Sequence, residues 1–392
     1  MRLAAAVVIG TIGSVGMWSF VVALPAAQAE FGVDRAAASL PFTLTMFGFA
    51  AGGVFTGWLA DRYGILVPIG VGSISLGLGY VAGGLAGSFW LFALAHVLIG
   101  FGSSGTFGPM MSDISHWFER RRGLAVSICS AGNYLAGTVW PPIVQHLITS
   151  SGLRPTLIGI GLFCAATMLP IALVFMRRKS PVQHATTGVT LPGATPAALG
   201  LSSGMLQTLL CIAGVACCVA MAMPQVHLVA YCSDLGYGAK HGADMLAAMM
   251  GFGIISRVLC GAVADRIGGL ATLLISSALQ GLALFLYLPF DGLVSLYLIS
   301  ALFGLFQGGL VPMYAVVIRE YFPPREAGMR VGVLLMATLF GMAFGGWVSG
   351  WIFDLTGSYQ VAFINGLLWN FLNLAIVGWL LLRRERRRLA VA

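Results

Sequence analysis

Apolar runs of about 20 residues recur along the chain, separated by short polar stretches rich in glycine, proline and charge. A helix of that length crosses about 30 Å of hydrocarbon. Twelve runs qualify, here numbered as spans: 4–25, 37–60, 66–87, 90–113, 123–149 and 154–176, then 204–231, 241–264, 269–289, 293–318, 327–352 and 359–382. The stretch 177–203 breaks the pattern. It opens with Arg177-Arg178-Lys179 and holds Pro181, Pro192 and Pro196 among Ser, Thr and Gly, which is the composition of a linker. The expected architecture is an all-α polytopic membrane protein. Twelve transmembrane helices fall into two six-helix bundles, residues 1–176 and 204–392, joined by the linker 177–203.

The two halves repeat each other at a fixed offset of 204 residues. Gly57, Ala60, Asp61, Arg62 and Gly64 map onto Gly261, Ala264, Asp265, Arg266 and Gly268; Gly100 maps onto Gly304, Gly105 onto Gly309, Phe118 onto Phe322 and Arg121 onto Arg325. A six-plus-six parallel repeat is a transporter plan, with substrate held between the halves. A channel or a membrane enzyme has no comparable need for two quasi-equivalent bundles.

Composition strengthens this picture. Hydrophobic residues make up 58% of the 392 and charged residues only 9%, far below the roughly 25% of a soluble domain. The net charge of +8 raises the question of nucleic acid, and its distribution answers it. Of the Lys and Arg residues, Arg35, Arg154 and Lys240 fall in one alternating set of loops, and Arg257 lies within a span. The rest gather at the termini, in the other loops and at their edges, which predicts cytoplasmic termini by the positive-inside rule. The closing run Arg383-Arg384-Glu385-Arg386-Arg387-Arg388 is expected as a solvated anchor at anionic headgroups, not a nucleic-acid surface. Seven scattered cysteines without a CxxC predict apolar packers rather than metal ligands or disulfides. Arg2, an apolar run and Ala27-Gln28-Ala29 imitate a signal peptide, but Leu3–Leu24 is long enough to be a first span.

Arg257 is the residue of greatest interest. It lies eight positions before Asp265, or about 12 Å of helix from the span end, which puts it near mid-bilayer. An arginine there costs at least about 2.5 kcal/mol to insert. Asp and Glu stand only in loops or toward span ends. A buried guanidinium without an acid seeks an anion, and its planar fork suits a carboxylate. Structural bonding to backbone carbonyls between helices is the competing reading. Asn133, Tyr134, Gln307, Ser103 and Ser104 are polar groups at span depth that can complete a substrate site, each with interhelical bonding as its alternative. Phe340 and Trp347 are candidate cavity aromatics, with packing as theirs. His227 and His146 stand toward the far ends of their spans and are the candidates for proton coupling, with a headgroup-level role as the alternative.

Gly57-Trp58-Leu59-Ala60-Asp61-Arg62-Tyr63-Gly64 between spans 2 and 3 resembles the signature loop of the major facilitator superfamily. Gly57 there permits close helix approach. Asp61 can latch one conformational state against a helix N-terminus or a basic partner, and Gly64 starts a tight turn. Asp61, Arg62, Asp265 and Arg266 are thus the expected latch. Ile65-Leu66-Val67 stands where the motif usually ends in two basic residues, which implies a weaker latch. His116-Trp117-Phe118-Glu119-Arg120-Arg121-Arg122-Gly123, Tyr321-Phe322-Pro323-Pro324-Arg325-Glu326, the segment from His227 to Gly236 and Asp354-Leu355-Thr356-Gly357-Ser358-Tyr359 resemble the monocarboxylate and oxalate–formate branch. That resemblance implies an arginine on span 8 binding the substrate carboxylate, the place of Arg257. The acid often found one turn earlier in the family is Gly253 here, and spans 1 and 11 carry no lysine.

The expected function is secondary active transport of small organic anions, foremost lactate- or pyruvate-like monocarboxylates, coupled to protons, by alternating access. Efflux of lipophilic compounds with a structural Arg257 is the alternative, and a membrane sensor or enzyme a remote one. No HExxH, Gly-x-Ser-x-Gly or Walker loop occurs, so neither catalytic residues nor a metal or cofactor is expected. The implied setting is a bacterial cytoplasmic membrane, as a monomer.

Overall fold

The computed structural model describes residues 1–118, 122–177 and 199–391. Every regular element among them is helical. Span 1 is Arg2–Gly13 plus Val15–Phe31, and span 4 is Phe89–Ser104 plus Gly108–Trp117; span 10 is Leu293–Gln307 plus Leu310–Tyr321. The unbroken spans are Arg35–Tyr63, Leu66–Leu85, Arg122–Ser151, Leu153–Phe175, Ser203–Asp234, Ala239–Ile267, Gly269–Leu286, Pro324–Thr356 and Tyr359–Val391. Eleven of the twelve are long and apolar enough to cross a membrane by composition alone. The remaining one is Arg122–Ser151, at 30 residues.

The helix ends follow local chemistry. Asp34 caps span 2 by accepting the Ala37 amide at 2.7 Å, and Ser202 caps span 7 through the Met205 amide, each satisfying one orphan donor. Spans 4 and 10 break where prolines demand it. Pro109 offers no N–H to the Gly105 carbonyl and Pro312 none to that of Gly308, and glycines beside each gap ease the bend.

The sequence repeat reappears as a repeat of contacts. A side chain on Gly100 would run into the Thr45 carbonyl of span 2; a side chain on Gly304 would run into the Met249 carbonyl of span 8. Thr45 and Met249 are themselves one offset apart. Gly64 and Gly268 both take left-handed φ, +83° and +86°, so each signature loop turns on a residue that only glycine fills easily.

Spans 1–6 and 7–12 form two lobes that meet through spans 2 and 11, 5 and 8, and 1 and 7. Their cross-contacts lie toward the face opposite the termini. Gly350 packs on the Arg35 carbonyl, Gly346 on Phe42, and Gly137 on Met250. At the terminal face, the ends of spans 2 and 8 are exposed.

Several expectations need correcting. Gly57 and Gly261 have no neighbour within 4 Å of where a side chain would stand; the close approaches are made at Gly48, Gly52 and Gly100 instead. The closing basic run is not simply solvated. Arg383 donates to the carbonyls of Leu199 and Gly200, at 2.5 and 3.2 Å, and lies over the Trp379 ring. Most of the expected linker, 178–198, lies outside the described residues, as do Glu119, Arg120 and Arg121.

Candidate functional site

Arg257 sits on span 8 at the lobe interface and points to span 5. Its guanidinium carbon is 4.1 Å from the centre of the Tyr134 ring, and Nη1 donates to Ser130 Oγ at 3.3 Å. Ser130 and Tyr134 are one helical turn apart, so both partners lie on one face of span 5. Nε is buried without an acceptor. Among the described residues no carboxylate lies within ion-pair distance of Arg257. The cation is therefore shielded by a ring and a hydroxyl, and no carboxylate among the described residues balances its charge.

The remaining candidates separate in space. Tyr134 is buried, packed on Gly253, and its hydroxyl donates to the Gly308 carbonyl at 3.4 Å. Asn133 faces span 1, with Nδ2 on Met17 Sδ at 3.2 Å and its carbonyl accepting from Trp18 Nε1. Gln307, at the break of span 10, is fully buried with neither amide atom partnered. Next to it, Gly308 packs on Gly253, one turn from Arg257. Ser103 and Ser104 are buried and bond back to the carbonyls of Ile99 and Phe101 within their own helix. Phe340 is exposed and stacks on Phe344, which adjoins Trp347 and Trp369. By helical spacing that stripe points away from both Gly341, which packs on span 7, and Gly346, which packs on span 2.

A second constellation, centred on Arg35, closes the face opposite the termini. Arg35 is 7% exposed. Its side chain donates to Tyr359 Oη at 2.6 Å and to Asp234 at 3.2 Å, and lies over the Phe353 ring. The backbone amides of Arg35 and Ala36 donate to the two oxygens of Asp354, at 2.8 and 2.6 Å. A buried arginine of one lobe is thereby in a salt bridge with an exposed aspartate of the other. The fully buried His227 joins this group, with Nδ1 3.2 Å from Tyr359 Oη and Nε2 2.7 Å from the Gly346 carbonyl. The network assigns the neutral tautomer with the proton on Nε2, since a carbonyl only accepts. His146 is exposed and stands apart from this network.

The latch residues Asp61, Arg62, Asp265 and Arg266 are all exposed. Arg62 packs only locally, over Trp58 and Tyr63. Sequence reasoning missed Arg35 and its partners Asp234 and Tyr359, which read as ordinary loop charge and a motif tyrosine. The adjacent Asp34-Arg35 pair, placed where a span begins, was the signal available. It also missed the two-pronged pair of Arg2 with Asp113, at 2.9 and 2.8 Å, with Arg2 over the Trp117 ring. Through that pair the N-terminal helix is tied to span 4. Among the described residues no group of three or more His, Cys, Asp or Glu could hold a metal.

The comparisons agree with this architecture. The sequence matches the family model described as Major Facilitator Superfamily over residues 6–300 and 210–392. It is 28% identical to the MFS-type transporter opdF of Penicillium oxalicum, over 73% of this chain and 66% of that protein. It is 26% identical to monocarboxylate transporter 13 of Bos taurus, over 92% of this chain and 82% of that one. Among solved structures, a bacterial homologue of the human lysosomal transporter Spinster, inward-facing and occupied, superposes with a TM-score of 0.67 at 17% identity, covering 99% of this chain and 96% of that one. The nucleoside transporter NupG superposes at 0.72 and 15% identity, covering 99% of each chain. With the family model matched along nearly the whole length and twelve spans in two lobes, the chain belongs to the major facilitator superfamily and is a multi-pass membrane transporter, not an enzyme.

Proposed function

We propose that the protein carries small monocarboxylates of the lactate or pyruvate type by alternating access, with Arg257 as the anchor for the carboxylate. The observation that carries this reading is the missing counter-charge. Arg257 holds a guanidinium at the lobe interface with an idle Nε and, among the described residues, no acid within ion-pair distance. A substrate carboxylate supplies the charge, and a bidentate pair is the strongest such contact available to it. The unpartnered Gln307 amide, beside the same interface, offers polar groups for a keto or hydroxy oxygen. The monocarboxylate transporters among the relatives favour the same substrate class.

The terminal face is the cytoplasmic one in this reading, by the excess of Lys and Arg there. The lobes are then shut outward and parted inward, an inward-open carrier with its latch at Asp61, Arg62, Asp265 and Arg266 disengaged. Gly57 and Gly261 would meet their neighbours only in the opposite state. The setting is a bacterial cytoplasmic membrane, with the protein acting as a monomer and both termini inside.

Proton coupling falls to His227. Its neighbours are Tyr359 of span 12 and Gly346 of span 11, with Arg35 of span 2 and the acids Asp234 and Asp354 beyond. A proton on Nδ1 would turn an acceptor of the Tyr359 hydroxyl into a donor and set a second cation near Arg35. Both changes loosen the outward closure.

Thermal unfolding of the purified protein with short carboxylic acids tests the anchor, comparing wild type with Arg257→Gln. A ligand at 100 times its dissociation constant stabilises the native state by about 2.7 kcal/mol. One acid is expected to raise the melting temperature of wild type and not of the variant. Lipophilic cations shifting wild type while no acid does would replace this reading with efflux.

A further inference from the structure

Tyr134 is held at both ends. Its hydroxyl is committed to the Gly308 carbonyl at 3.4 Å, which lacks a helical donor because residue 312 is proline. Its ring is seated on Gly253, where any side chain would overlap it. The ring face is left to Arg257, 4.1 Å away. The contact crosses the lobe interface, from span 5 to span 8. A guanidinium carries all its donors in its own plane, so a ring on its face obstructs none of them and fixes the direction in which they point. The electron-rich face also attracts the cation directly.

We propose that Tyr134 is a positioning residue for the carboxylate: its ring, presented by one lobe, sets the plane of the Arg257 guanidinium belonging to the other. It acts on the substrate through Arg257, and its hydroxyl serves span 10. This rests on the carboxylate reading of Arg257 and adds a consequence to it. Any rocking of span 5 against span 8 shifts the ring under the guanidinium, so the affinity of the site depends on how the lobes stand. Gly253 is then required for its smallness, because any side chain there would displace the ring.

A ring series tests this. Tyr134→Phe keeps the ring and drops the hydroxyl. Insertion of 3,4,5-trifluorophenylalanine at 134 keeps the shape and drains the ring face of electron density. Tyr134→Leu removes the ring. Dissociation constants for L-lactate and pyruvate are measured on each, with the ligand-free melting temperature of the fluorinated protein compared with that of Tyr134→Phe as a check on folding. The Phe variant is expected within about twofold of wild type, and the fluorinated one weaker than Phe by about three- to thirtyfold. Equal binding by the Phe and fluorinated proteins would overturn the inference and leave Arg257 as anchor. Wild type binding neither acid would overturn the carboxylate reading and this inference with it. Should the Leu variant not fold, the fluorinated protein still decides.

Discussion

Arg35 at the start of span 2 and Asp354 at the end of span 11 join the two lobes through backbone rather than side chain on the arginine's part. The Asp354 carboxylate accepts the amides of Arg35 and Ala36, while the Arg35 guanidinium turns to Asp234 and Tyr359. A carboxylate at a helix N-terminus meets both free donors and the positive end of the dipole. Asp354→Ala should remove about 1–3 kcal/mol from this closure and shift the carrier toward opening at that face. Ser39, buried beneath Arg35, reports it. A Ser39→Cys protein should react faster with an impermeant maleimide once Asp354 is replaced, and an unchanged rate would show that this contact does not hold the mouth shut.

His227→Gln preserves a donor for the Gly346 carbonyl and removes the ring nitrogen that faces the Tyr359 hydroxyl. Uptake into proteoliposomes should be stimulated by acid in wild type. The stimulation should fall toward unity in the variant, while Arg257-dependent binding persists. Full stimulation in the variant would move the coupling elsewhere.

Gly100→Ala and Gly304→Ala each drive a methyl group into a neighbouring carbonyl, and overpacking of this kind costs about 1–3 kcal/mol. Both should lower the melting temperature. Gly57→Ala and Gly261→Ala, with open space around them, should leave it unchanged or slightly raised, because alanine favours the helix.

Asp113→Asn should destabilise the N-terminal lobe. Both side chains of its pair with Arg2 are largely buried, 11% and 7% exposed, and breaking such a pair costs about 3–5 kcal/mol because a charge is stranded. Adding Arg2→Met should recover part of the loss. Thermal unfolding of the single and double variants measures it, and equal melting of the two would contradict the stranded-charge explanation.

The spans, the two-lobed plan and the internal repeat were all legible in the sequence, because hydrophobic length and fixed offset are one-dimensional properties. Even the Gly100 and Gly304 contacts followed the offset. The Arg35 closure was not legible. It joins residues from four spans, and nothing in a loop's charge says which opposite charge folding will bring beside it. Gly57 was misjudged for a different reason: a motif records what a residue does across a working cycle, whereas one structure holds one position of the lobes. Arg257 stood out because an uncompensated charge within an apolar run is visible without coordinates. Its ring partner Tyr134 was visible only as a polar residue, since the facing of span 5 toward span 8 is set by the packing of whole lobes.

The glycine-to-carbonyl crossings of spans 2 with 4 and 8 with 10 have a mechanical meaning. Where backbone lies against backbone there is no flexible side chain to act as a cushion. Each crossing works like a welded joint, so a tilt imposed on span 2 or span 8 is handed on to its neighbour undiminished. The arms of the carrier are stiff levers, and the play needed for movement is confined to the seam between them.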